Sequence, residues 1–113
     1  MEYKNVKIFD VDTKNCRIKN THENIFDLFF NNKIPIVNKI YDLEKERLFT
    51  SEEVDIIGYV KSVDKIEDGK FYGTVIVFDD IYFSQKFINW SVIGDYVDDG
   101  EFCITRIESI QII

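Results

Sequence analysis

The chain has 113 residues, a formal net charge of −7, 45% hydrophobic residues and 15% aromatic residues. This length fits one domain, placed at residues 1–113, and the hydrophobic content excludes an intrinsically disordered chain. No apolar run reaches the roughly 20 residues of a membrane span, and the first residues lack a signal-peptide core, so we expect a cytoplasmic protein without membrane contact.

The first predicted element is a strand over residues 3–12. Its apolar residues move from the face that carries Ile8 to the face that carries Phe9, and such a shift is typical of a β-bulge or of a strand that is buried on both sides. Turn-forming residues follow, and the alternation of apolar and basic residues at 16–19 predicts a short return strand.

The clearest helix is predicted over residues 21–31. Thr21 is a suitable N-cap, because its hydroxyl oxygen accepts a hydrogen bond from a free backbone N–H group in the first turn. The apolar residues of this segment recur at helical spacing and predict a face that packs on a sheet. These residues are Ile25, Leu28 and Phe29, with Phe26 and Phe30 widening the stripe.

The sheet is expected to form around a hairpin at residues 53–78. Asp68-Gly69 is a pair favoured in tight turns with positive φ, and the flanking residues are mostly β-branched or aromatic. Before the hairpin, a strand is predicted at residues 36–41. The charged segment 42–47 is predicted to form a turn or a single helical turn. Alternation along the second hairpin strand predicts one buried face, formed by Phe71, Val75 and Val77.

A helix is the alternative structure for residues 51–62. Residues 50–53 resemble a capping box, the pairing of a Thr with a Glu three positions later that often starts a helix. We favour a strand, because the run that follows is rich in Val, Ile and Tyr and contains Gly58.

The last third of the chain predicts a short second helix and two strands. Aromatic residues recur at helical spacing over residues 80–89, after aspartates that can cap a helix. Strands are expected at 91–97 and 101–113, joined by a turn at Asp98-Asp99-Gly100, and the final strand carries a bulge because Ile104 and Ile107 fall on opposite faces of a regular strand.

These elements predict an α+β fold. The sheet is expected to be mostly antiparallel, either a twisted sheet or a small barrel-like sheet. One main helix, at about residues 21–31, and one short helix, at about 80–89, accompany it.

The acidic residues are concentrated in the C-terminal half. From Ile57 onward there are ten acidic and five basic residues, whereas the preceding part has a net charge of −2. A field of this sign repels nucleic acids, so we expect no direct nucleic-acid binding. The acids near predicted turns are candidate binding residues, namely Asp79, Asp80, Asp95, Asp98, Asp99 and Glu101.

Three tyrosines are further candidate binding residues. Tyr59, Tyr72 and Tyr82 are placed on one exposed surface beside the hairpin, and tyrosine favours interfaces because it adds area at low entropic cost. The alternative is that these rings pack in the core.

Residues suited to catalysis or metal binding are few. His22 is the only histidine, and no third group that would orient it is evident. Cys16 and Cys103 do not have the spacing of a zinc or redox motif, so both are expected to be reduced thiols. Without a phosphate-binding glycine pattern or a calcium loop, we expect no cofactor and no metal.

Five segments in the second half resemble the tailed-phage prohead protease family. The segments are I-I-G-Y-V (56–60), E-D-G-K-F-Y-G (67–73), V-F-D-D (77–80), S-V-I-G (91–94) and E-S-I-Q-I-I (108–113). The resemblance, over residues 55–113, implies a barrel-like core with helices and an ancestral serine protease in which Ser91 is the nucleophile and His22 its base. The surroundings of His22 depart from the family motif, which implies a degenerate, non-catalytic relative.

The leading hypothesis for function is a small protein-interaction module of phage or prophage origin. It would bind and inhibit a protein partner, and the acidic surface would mimic DNA phosphates in a basic cleft of that partner. The alternative hypothesis is a serine hydrolase that uses Ser91 and His22.

Overall fold

The computed structural model of the chain describes residues 1–11, 17–50, 52–78, 88–97 and 100–112. This part contains one α-helix and nine strands. In chain order they are β1 (Glu2–Asp10), β2 (Arg17–Ile18), α1 (His22–Phe30), β3 (Pro35–Val37), β4 (Tyr41–Asp42), β5 (Arg47–Leu48), β6 (Ile56–Glu67), β7 (Lys70–Val77), β8 (Ile88–Tyr96) and β9 (Glu101–Ile112).

Seven strands form one mixed, open and twisted sheet, and β4 and β5 form a separate two-stranded ladder. The pairs β1–β7, β7–β6, β6–β3 and β8–β9 are antiparallel, whereas β3 and β2 run parallel to β9. Among the described residues no ladder joins β1 to β8. The α+β class is therefore confirmed in its coarse form, as a largely β structure with one described helix. No described helix is long and apolar enough to cross a membrane.

The central hairpin is confirmed. Asp68 and Gly69 have φ angles of 51° and 75°, the positive values that the turn between β6 and β7 requires. Residues 56–62 lie in β6 and form a strand, not a helix. Alternation along β7 buries one face, as predicted, with Phe71, Val75 and Val77.

One of the two contacts of a capping box forms before β6, between the Glu53 carboxylate and the Thr50 N–H group, but the chain makes only a single turn there. The backbone N–H and the hydroxyl group of Thr50 both donate to Oε1 of Glu53 at 3.0 Å, and the N–H of Glu53 donates to the Thr50 carbonyl. The β-branched residues that follow favour a strand over further helical turns.

The predicted bulges are present in β1 and β9. The register of β1 against β7 shifts between Lys7 and Phe9, which leaves both Ile8 and Phe9 buried. In β9, two register shifts against β8 place residues three positions apart on the same buried face. These residues are Ile104, Ile107 and Ile110.

Helix α1 agrees closely with the prediction. The hydroxyl oxygen of Thr21 accepts a hydrogen bond from the Asn24 N–H group at 3.1 Å, and the helix starts at the next residue. Ile25 and Phe29 are buried and Leu28 is half-buried against the core. The helix therefore packs on the sheet through the expected face.

Three sequence predictions need correction. The short helix at residues 80–89 falls mostly outside the described residues, and its last two positions, 88 and 89, belong to strand β8. The expected return strand is β2, which pairs in parallel with β9 instead of returning along β1. The strand expected at residues 36–41 is divided, because β3 ends at Val37 and β4 begins at Tyr41. For β2 and for residues 88 and 89, pairing with the distant strand β9 overrode the local pattern.

The core is organised around Phe9. Its ring centroid lies 4.6 Å from that of Trp90 on β8, 5.8 Å from Phe71 on β7 and 5.9 Å from Phe29 on α1. One side chain of strand β1 therefore contacts the neighbouring strand, the helix and the opposite edge strand.

Replacing Phe9 by Ala should lower the free energy of unfolding by about 3–5 kcal/mol, because it removes a fully buried ring and leaves a cavity. The matched control is Phe30→Ala, which deletes the same atoms from a side chain that is 77% exposed. That control should change stability by less than about 0.5 kcal/mol. Urea unfolding followed by circular dichroism measures both values, and similar losses in the two variants would contradict this core.

An ion pair fixes the segment that follows β5. Arg47 donates to both carboxylate oxygens of Glu53, at 2.9 and 3.3 Å. The hydrogen bond from Arg47 has the largest effect on the Glu53 carboxylate, and the hydrogen bonds from Thr50 add to it. Together they lower the pKa of Glu53 from 4.5 to about 2. Because the pKa is depressed in the folded protein, the contact contributes fully above pH 4.5 and is lost as the pH falls towards 2.

Acidification from pH 4.5 to 2 should loosen the β4–β5 ladder locally, since the pair is partly exposed and contributes little to global stability. In Glu53→Gln the ladder should already be loosened at neutral pH and should lack this acid transition. Amide NMR signals of residues 47–50 report the change. Glu44→Gln, which alters an exposed carboxylate in the turn between β4 and β5, should keep the wild-type profile. An acid transition that is unchanged in Glu53→Gln would refute the assignment to Glu53.

Candidate functional site

Ser91 and His22 lie on opposite faces of the sheet. Ser91 follows Trp90 on β8, and neighbouring residues of a strand point to opposite faces. The Trp90 ring packs on Phe9, on the face that carries helix α1, and His22 begins that helix with its ring 5.7 Å from Phe71. The structure does not bring these two predicted catalytic residues together.

The predicted acidic surface is described only in part. Asp95 is exposed on β8, and Glu101, at the start of β9, is half-buried 3.8 Å from Arg17. Asp79, Asp80, Asp98 and Asp99 lie outside the described residues, as does Tyr82. No group of three or more metal-ligating side chains occurs within the described residues. Cys103 is a free, half-buried thiol, and Cys16 is also outside the described part.

Tyr59 and Tyr72 share the outer face of the hairpin. Tyr59 pairs with Ile76, four residues along β7 from Tyr72, so all three point to the same side. Both tyrosines are half-buried, and each carries a lysine ammonium over its ring, Lys33 at 3.9 Å and Lys65 at 5.1 Å from the centroid.

Tyr59 also lines a groove that the sequence did not predict. The groove, of about 470 Å³, lies between the C-terminal end of α1 and the middle of β6. We call it the helix–strand groove, and it is lined by Phe26, Phe29, Phe30, Asn31, Asn32, Lys33, Tyr59, Val60, Lys61, Ser62 and Val63.

Two phenylalanines form the helical wall of this groove. The rings of Phe26 and Phe30 are stacked, with centroids 6.1 Å apart and an interplanar angle of 15°. Phe30 is 77% exposed, although it is a large apolar side chain. The spacing Phe26–Phe30 is one helical turn, which aligns the two rings on one side of α1.

The charged residues of the groove are both basic, although the protein is acidic. Lys33 stacks on Tyr59 and has no acidic partner among the described residues. Lys61 pairs with Glu2 at 2.6 Å, and that carboxylate raises the pKa of Lys61. The groove therefore offers an apolar floor beside one uncompensated cation.

A second cavity, of about 660 Å³, is lined by residues of β3, β8 and β9 and by residues in and around β5. Ser91 and Ser109, which pair between β8 and β9, line it together with apolar residues of β3 and of the ladder. Its charged residues have both signs, namely Lys39, Asp55 and Glu108. This mixed lining gives it less chemical selectivity than the helix–strand groove.

Comparisons with protein-family models, curated proteins and solved structures found no significant match. The resemblance to prohead proteases accordingly stays a prediction from the sequence.

The sequence of α1 carries a signal for the groove, although its apolar residues are predicted to pack in the core. Five of the nine helical residues of α1 are Ile, Phe or Leu, which is more than one buried stripe needs. An excess of this kind leaves part of the apolar surface at the rim, and here it is the Phe26–Phe30 pair that lies there.

Proposed function

We propose that this protein is a protein-interaction module whose helix–strand groove binds an apolar and acidic segment of a partner protein. The observation that carries the proposal is the exposed Phe30 ring, stacked on Phe26 in a groove that also contains the ammonium of Lys33, which forms no ion pair among the described residues. The proposal keeps the cytoplasmic, non-catalytic and phage-related setting inferred from the sequence.

The aromatic wall favours binding for an energetic reason. A stacked ring pair has few rotamers to lose, so a partner that covers it removes apolar area from water at low entropic cost. Aromatic side chains of this kind supply most of the binding energy in many protein interfaces. In this groove Phe26, Phe30 and Tyr59 would supply these aromatic contacts.

The charge of the groove favours an acidic segment. A carboxylate beside Lys33 would pair with a cation that is already positioned by its contact with Tyr59. The protein as a whole is negative, with a net charge of −7. An acidic partner is therefore attracted electrostatically only where its carboxylates lie close to this local positive site. Specificity for the position of the acid follows.

Selection from a displayed library of random 12-residue peptides tests the proposal. Purified protein should enrich sequences that combine aliphatic or aromatic residues with Asp or Glu. Fluorescence polarisation then gives the affinity of a selected peptide for each variant. Phe30→Ala should weaken binding about tenfold or more, as expected for loss of a central aromatic contact. Leu43→Ala, an equally exposed site at 83% in the β4–β5 turn, should bind like wild type.

The role of the cation is tested separately with the same peptide. Lys33→Gln should weaken binding severalfold and reduce its dependence on salt, because one charge pair is lost. Lys45→Gln, an exposed lysine of the β4–β5 turn, is the matched control. Peptides that bind Phe30→Ala as tightly as wild type, or a library without enrichment, would refute the groove as the binding site.

The acidic surface is the other candidate from the sequence, and one double variant separates the two. If the acids mimic DNA, Asp98→Asn with Asp99→Asn should slow association with a basic partner and make the on-rate less sensitive to salt. If the groove is the binding surface, the double variant should bind the selected peptide with wild-type affinity. No described contact favours the hydrolase alternative, because Ser91 and His22 are on opposite faces of the sheet.

A further inference from the structure

Strand β6 has an unpaired edge beside the helix–strand groove. On one side β6 is paired with β7 along its length, from Gly58 to Glu67. On the other side β3 pairs only with residues 56–59 of β6, and the last backbone contact is the Val60 N–H group donating to the Ile34 carbonyl at 2.9 Å. Within the described residues, no strand pairs with residues 61–67 on that side, which we call the open edge of β6.

The open edge and the groove occupy the same place. The strand residues that line the groove run from Tyr59 to Val63, so the groove begins where β3 leaves β6 and continues along the first part of the open edge. Lys33, just before β3, stands at this junction. A chain segment that enters the groove therefore meets free backbone N–H and C=O groups on one side and the Phe26–Phe30 pair on the other.

From this geometry we propose that the partner segment binds as an added β-strand on the open edge of β6. The occupant is an extended peptide segment that continues the position of β3. Its side chains alternate between the Phe26–Phe30 wall and solvent, and a carboxylate lies next to Lys33. This inference rests on the proposed function, since it specifies how the same groove would hold its ligand.

A strand fits this site better than a helix does. An extended segment forms hydrogen bonds with the free backbone groups of residues 61–67, whereas a bound helix satisfies its own backbone and would cover those groups without pairing them. The alternating side chains of a strand also suit the site, because an aromatic wall on one side of the added strand would contact every second residue of the peptide. The charges support the same occupant, since the ligand brings carboxylates to a groove whose own charged residues are both lysines.

An N-methylation scan of a peptide selected for Phe30-dependent binding tests the strand. Methylation removes one backbone N–H donor at a time and leaves the side chains intact. In an added strand, alternate amides donate to β6, so methylation at every second position should weaken binding about tenfold or more, while the intervening positions change little. Amide hydrogen exchange of the protein should show new protection within 61–67 when the peptide is bound, at the amides that do not pair with β7.

The outcomes separate the two proposals. A peptide that depends on Phe30 but shows no alternation in the scan and no new protection in β6 overturns strand addition and leaves the groove as the binding site. Affinity that depends on the peptide side chains at every third and fourth position would indicate a bound helix. That result also overturns strand addition and leaves the groove as the binding site. A library that yields no Phe30-dependent peptide overturns both proposals. Alternation together with protection of β6 supports both.

Discussion

The contact between Phe9 and Trp90 is the constraint on which the rest of the fold depends. These residues belong to β1 and β8, which lie at opposite ends of the strand order, yet their ring centroids are 4.6 Å apart. The sheet must curl strongly for this contact to form. The curl makes a concave face, and helix α1 fills it through Phe29, whose ring also contacts Phe9.

Bulges and glycines make such a curl possible. The register of β6 against β7 shifts twice, once before Ser62 and once after Val63, and these two residues of β6 lie opposite Thr74 and Gly73 of β7. A Cβ atom added to Gly73 would lie 2.2 Å from the Ser62 carbonyl oxygen, so only glycine permits this close approach of strands. Strand β3 contacts β6 only as far as Ile34, so among the described residues the second half of β6 has no strand beside it on that edge.

The local elements were predictable because their signals are local. The Asp68-Gly69 turn, the Thr21 cap and the buried face of Phe71 and Val77 each follow from a few adjacent residues. Strand pairing was not predictable in this way. Whether Ile18 pairs with β1 or with β9 depends on residues that are far apart in sequence. The groove was missed for a related reason: periodicity shows which helix face is apolar, but only the sheet decides how much of that face is covered.

The position of Trp90 has a consequence for observing this protein. The chain contains a single tryptophan, and it lies in the contact that holds the two ends of the sheet together. Its indole is thus a built-in optical probe at the seam of the fold. Fluorescence from this one native residue reports on opening of the sheet without a label. Its emission would shift to longer wavelength if water reached the contact between Trp90 and Phe9 before α1 or the β6–β7 hairpin unfolded.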